Sequence, residues 1–227
     1  MNSPLTSVTL FQLGPVPISE AVVVTWAIMA ILVLGGLLFS RRLALVPSAT
    51  QAFLELIVEA VDSQIRDTMR VKPGPYRAFI GTLFVFIFVA NWTTLVPGID
   101  PPTARLETDA ALALLVFLAV IWFGVRSGGV RGYLASFASP SILMIPLNIV
   151  ESVTRSFSMM VRLFGNVMSG VFVVGIVLSL AGLLVPIPLM ALDLLTGAVQ
   201  AYIFAVLAMV FIAGVVEDAE TPKRTSP

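Results

Sequence analysis

Long apolar runs separated by short polar breaks fill the chain from Ala21 to Val216. The first, Ala21 to Ser40, has about the length a helix needs to span a bilayer, and Arg41-Arg42 ends it. Between Pro47 and Arg70, the apolar residues Phe53, Leu54, Ile57, Val58, Val61 and Ile65 alternate with Glu55, Glu59, Asp62, Arg66 and Asp67. That spacing predicts a helix over 47–71 with one apolar side, suited to a membrane surface or to packing against other helices. The breakers Lys72 to Pro75 precede a second span over 78–96, which the loop Pro97 to Asp109 closes. A third span over 110–125 leads into the glycine-rich, basic stretch RSGGVRGY.

From Ser141 the pattern changes. Apolar character runs to Leu184 with Arg155 and Arg162 embedded in it. As one helix this segment measures about 60 Å, twice the hydrocarbon thickness, so it must tilt strongly or break. Val185-Pro186-Ile187-Pro188 is the expected turn, and Leu189 to Val216 returns as a long helix carrying Asp193 and Gln200. The expected fold is an all-α polytopic membrane protein forming a single membrane domain over 1–227. It has about five membrane-embedded helices, a surface amphipathic helix and a long tilted C-terminal hairpin over 141–216. The stretch before Ala21 carries no basic residue, so the first run reads as a retained helix, and EDAETPKRTSP reads as a short mobile polar tail.

Composition strengthens the membrane reading: 58% of residues are hydrophobic and 11% charged, where a soluble domain carries about 25% charged residues. The 13 basic and 13 acidic side chains cancel, leaving no basic footprint for nucleic acid. With no cysteine and no histidine, disulfides, thiol nucleophiles, the usual zinc sites and histidine relays are excluded. Carboxylates, amides, hydroxyls and arginine remain for any ion chemistry. Ten of the thirteen basic residues fall on one side of the expected topology, with Arg105 alone on the other. The positive-inside rule then puts the N-terminus outside and the C-terminus in the cytoplasm.

Arg162 stands out because guanidinium keeps its proton at any accessible pH, and at mid-membrane it costs from about 3 to above about 10 kcal/mol. A snorkelling arginine or one paired with a structural carboxylate is the plain reading. An ion pathway is the sharper one, and the amides favour it. Asn166 lies one turn beyond Arg162 on the same face, and Asp193 and Gln200 share a face of the returning helix. A hairpin brings the two polar stripes together, although single amides in membrane helices more often join helices than conduct.

The run Arg162-Leu163-Phe164-Gly165-Asn166, followed by Gln200-Ala201-Tyr202-Ile203-Phe204, resembles the signature of subunit a of F-type ATP synthases. Pro146-Leu147-Asn148 and the stretch Asn91 to Thr103 extend the resemblance, which covers most of the chain from about Phe79 to Val216. It implies an F0 subunit in a bacterial inner membrane, partnered by the c-subunit ring, b subunits and the remaining F0 and F1 subunits. Two offset half-channels for H+ or Na+ would lead to the ring carboxylates, with Arg162 as the essential arginine between them. Gln200 matches the family glutamine facing the arginine, and Asn166 the amide beside the outer half-channel. Asn148 stands where many relatives have a cytoplasmic-side carboxylate, and Glu151, one turn on, is the expected substitute. Arg155 matches a basic position, while Ser156 replaces a common proline. On the outer side, Val171 occupies a position that often bears a carboxylate, and Asp193 one that often bears a histidine or acid.

The expected function is therefore ion translocation coupled through the ring to ATP synthesis or hydrolysis elsewhere. The chain shows no P-loop or catalytic constellation, and no cofactor is expected. A secondary transporter would show inverted repeats with broken helices, and none is evident. The other rival is a structural membrane subunit whose arginine only pairs with a neighbour.

Overall fold

The computed structural model describes residues 9–13, 16–41, 48–96, 101–137, 145–182 and 185–224. The first residues of the expected hairpin, 141–144, and part of the loop 97–109 lie outside the described residues. Strands β1 (Thr9–Leu13) and β2 (Val16–Ser19) form a small antiparallel hairpin that the apolar pattern did not announce. Six helices follow: α1 (Glu20–Ser40), α2 (Ala49–Met69), α3 (Gly74–Trp92), α4 (Leu106–Phe137), α5 (Ile145–Ala181) and α6 (Pro186–Arg224). Five of them, all but α2, are long and apolar enough to cross a membrane. The molecule is an all-α polytopic membrane protein in its architecture.

Helix α6 is the central element. Ala201, Phe204, Ala205, Ala208, Met209 and Ile212 on α6 are buried against Ile80, Leu83 and Ile87 of α3 and Val116, Ala119 and Phe123 of α4. The alanines let neighbouring backbones approach closely, which matters where lipid supplies no hydrophobic drive between helices. Met159, Leu163 and Val167 of α5 complete this core. Helix α1 is peripheral, with Trp26, Ile31, Leu34 and Leu38 exposed.

Several boundaries move from their expected places. Helix α3 starts at Gly74 with a proline in its first turn, because a proline there lacks only an N–H that the helix leaves unused anyway. Helix α4 runs through the glycine-rich stretch to Phe137, bending at Gly129, whose φ of 74° suits glycine. The prolines 186 and 188 lie in the first turn of α6, so the reversal falls before them, beside Gly182 at φ 76°. The expected polar tail is helical as far as Arg224. Helix α5 is unbroken over 37 residues, about 55 Å, so of the two alternatives for the long apolar segment, tilting is the one left.

Helix α2 uses its apolar side only at its C-terminal half. Ile65 and Met69 are buried against the bundle, whereas Phe53, Leu54, Leu56 and Val58 remain exposed. Ser48 caps its start by accepting from the Gln51 N–H. Arg77 of α3 clasps Asp62 of α2 with two hydrogen bonds, one from Nε to Oδ1 at 2.6 Å and one from Nη2 to Oδ2. These donors hold the Asp62 carboxyl below its ordinary range.

Candidate functional site

The polar residues of α5 and α6 fall into two groups along the hairpin. In the first, Glu151 and Arg155, one turn apart, form an ion pair on α5. The Arg155 guanidinium also lies over the Phe211 ring of α6, 5.3 Å from its centroid. Ser152 donates to the Asn148 carbonyl at 2.9 Å and Ser156 to the Ser152 carbonyl at 3.2 Å, so both hydroxyls are satisfied along the helix. Glu151 and Arg155 border a groove of about 490 Å³ that Thr154, Ser158 and Arg162 also line, with Phe211 opposite.

The second group lies one turn past Arg162. Asn166, Ser169 and Gly170 of α5 face Asp193 and Thr196 of α6 around a cavity of about 200 Å³. The Asp193 carboxyl lies directly over Gly170: a Cβ there would sit 1.8 Å from Asp193 Oδ1. The hairpin thus brings Asn166 and Asp193 together, as the two polar stripes suggested. Val171 turns the other way and packs against the apolar core.

Arg162 lines the first groove at its end nearer the second hollow. It is exposed on the outer side of α5 and makes no hydrogen bond or ion pair with the described residues. Leu163, beside it, is fully buried. The exposed surface of α5 also carries Val150, Val153, Phe157 and Val161, so Arg155 and Arg162 border a largely apolar surface. Gln200, on the facing helix α6, makes no hydrogen bond to Arg162. It is 7% exposed and its Nε2 has no hydrogen-bond partner. The Nδ2 of Asn166 is likewise buried and unpartnered. A buried amide left without a partner costs about 1–3 kcal/mol, so such groups mark places that something else satisfies.

Three polar residues that sequence reasoning did not single out as site residues stand behind this hairpin. Asn91 of α3 donates to the Gly197 carbonyl at 2.8 Å and accepts from Thr103 at 2.7 Å, so it ties α6 to the short 3-10 turn Pro102–Ala104. Asp109, in the first turn of α4, is 0% exposed and neither carboxyl oxygen has a partner. In the sequence Asp109 reads as an acid at a helix start, where it is ordinarily a solvated favourable charge. Only tertiary packing reveals that it is enclosed. Among the described residues, no group of three or more acidic side chains is gathered to hold a metal ion.

Comparison with known proteins agrees with this arrangement. Residues 22–213 match the family described as ATP synthase A chain. The chain is 56% identical over 215 residues to "ATP synthase subunit a 2" of a Bradyrhizobium species, covering 95% of this chain and 96% of that protein. It is 45% identical over 228 residues to "ATP synthase subunit a 1" of Chlorobaculum parvum, with 100% of both chains covered. It is 43% identical to "ATP synthase subunit a" of Albidiferax ferrireducens over 91% of this chain and 90% of that one. The chain, with Arg162 lining the first of two polar hollows, is a member of the ATP synthase A chain family.

Proposed function

We propose that this chain is the ion-translocating F0 subunit of an ATP synthase and that the two hollows are the inner ends of its two half-paths. One observation carries the reading: Arg162 interrupts the polar lining of α5, with the groove around Glu151 and Arg155 on one side and the cavity around Asn166 and Asp193 on the other. Asn148, at the start of α5, and Gln200, buried on α6 within the hairpin, complete the set of path residues.

In this reading the exposed apolar side of α5 rests against the c-subunit ring. A ring carboxylate arriving loaded is drawn to the Arg162 guanidinium, releases its ion into one half-path, passes ionised, and reloads from the other. The fixed positive charge repels a cation attempting to go straight through, and arginine holds that charge because it does not deprotonate. Each charge crossing supplies about 2.3 kcal/mol per 100 mV, so a leak would dissipate torque. The chain itself hydrolyses nothing; b subunits and the remaining F0 and F1 subunits complete the machine. The excess of basic residues on one side supports an inner-membrane orientation with the N-terminus outside.

Arg162→Ala in reconstituted complexes tests the reading. ATP-driven ion pumping is expected to disappear while the complex still assembles. Retained pumping would overturn it and favour a structural arginine.

A further inference from the structure

Three side chains bear buried polar atoms without hydrogen-bond partners among the described residues: Asp109, Asn166 and Gln200. Contacts between helices fix their relative depths. Thr103, just before α4, reaches Gly197 of α6 through Asn91. Further along, Gly124 of α4 touches Val215 of α6, since a Cβ on Gly124 would lie 2.4 Å from Val215 Cγ1. Helices α4 and α6 therefore run in the same direction. The same fifteen-residue step back along each, from Gly124 and from Val215, reaches Asp109 and Gln200 at one depth. On antiparallel α5, the contacts of Gly170 with Asp193 and of Arg155 with Phe211 put Gln200 opposite residues 163–166. All three unpartnered groups thus lie within about one helical turn of depth, about 5.4 Å.

Asp109 also points inward. It heads the stripe Leu112, Ala113, Val116, Ala119 and Phe123, the buried side of α4. A helix-start acid serving only the α4 dipole works best at the surface, yet this one is 0% exposed. The layer contains a carboxyl that accepts and two amides that donate, near in depth but not bonded to one another. Groups of this kind are what a bridging water needs, since each such molecule takes two or more polar partners. Asp193 lies two turns above Gln200 on α6, about 10 Å away along the axis.

We infer that Asp109 is an acid of the outer half-path, where with Gln200 and Asn166 it holds a wet polar layer that passes a small hydrated cation from Asp193 to the level of Arg162. This inference rests on the channel reading above. The ligand is a proton carried by water or a monovalent metal ion, and the carboxyl exchanges it without any covalent step.

The chain contains no cysteine, so Asp109→Cys introduces the sole thiol of this subunit. The probe is the small cationic reagent 2-aminoethyl methanethiosulfonate, applied from the outer side to assembled complexes in vesicles. The D109C thiol is expected to react. A Val116→Cys thiol, on the same stripe two turns deeper and 1% exposed, is expected not to. In ATP-driven pumping, Asp109→Asn is expected to lose about tenfold or more, the scale of one acid–base group, while Asp109→Glu largely restores the rate. Running both pumping arms with added Na+ and without it separates the two cations. An unreactive D109C thiol in an assembled complex, or wild-type pumping by D109N while R162A is inactive, overturns the role of Asp109. Retained pumping by R162A overturns the channel reading instead.

Discussion

At Gly170 the two helices of the hairpin come so close that a methyl group would fall 1.8 Å from Asp193 Oδ1. Gly170→Ala must therefore push the Asp193 side chain aside or part the helices. Overpacking of this kind costs about 1–3 kcal/mol, so the purified complex is expected to melt at a lower temperature and to pump more slowly. A wild-type melting temperature would mean that the Asp193 carboxyl turns aside freely while α5 and α6 stay packed. Arg162→Lys addresses a different property, that of the charge in the other groove. Lysine titrates near 10.4 in water, and a desolvated lysine loses its proton at lower pH. Passive ion leak through membranes bearing R162K is therefore expected to grow as pH rises, with no such trend for Arg162. Arg162 was legible in the sequence because a permanent charge among Met159, Met160, Val161, Leu163 and Phe164 has no inexpensive explanation. Asp109 was not, because an acid followed by apolar residues looks the same whether solvent or protein surrounds it.

The link between Asp62 and Arg77 holds α2 to α3 and carries a pH signature. The Asp62 carboxyl is lowered chiefly by the hydrogen bond from Arg77. A carboxyl depressed by folding stabilises the native state at neutral pH, and that contribution vanishes as pH falls below the unfolded carboxylate range and through the folded value. The wild type is accordingly expected to melt above Asp62→Asn at pH 7, with the difference closing below about pH 4. A difference independent of pH would assign it to packing. Arg77 is 49% exposed at its side chain, so the gain is modest. Helix identities followed readily from the apolar runs, because each run has a single physical reading at bilayer length. Their ends did not: proline at the starts of α3 and α6 looked like a breaker in both cases, and Gly129 bends α4 where the sequence suggested a stop.

The five long apolar helices make the molecule a multi-pass membrane protein, and the proposed orientation is open to a direct check. Leu180, 82% exposed at the end of α5, belongs to the outer side in that topology, and Arg70, at the end of α2, to the inner side. A membrane-impermeant maleimide is expected to label Leu180→Cys only from outside and Arg70→Cys only from inside. The opposite pattern would invert the orientation and exchange the two half-paths. The packing of the whole was the least legible level. Nothing in the spacing of Asn91 or Thr103 announced that they would join α3 to α6, since that contact spans 106 residues of sequence.

Seventeen residues of α5 precede Arg162 and nineteen follow it. A stiff rod that rocks within a slab keeps its centre at constant height while its ends rise and fall. Bilayers of different thickness are met by changes in helix tilt, and such changes swing Ile145 and Ala181 but leave the centre of α5 where it was. Arg162 sits at a pivot, so the height of its charge is insensitive to the lipid around it.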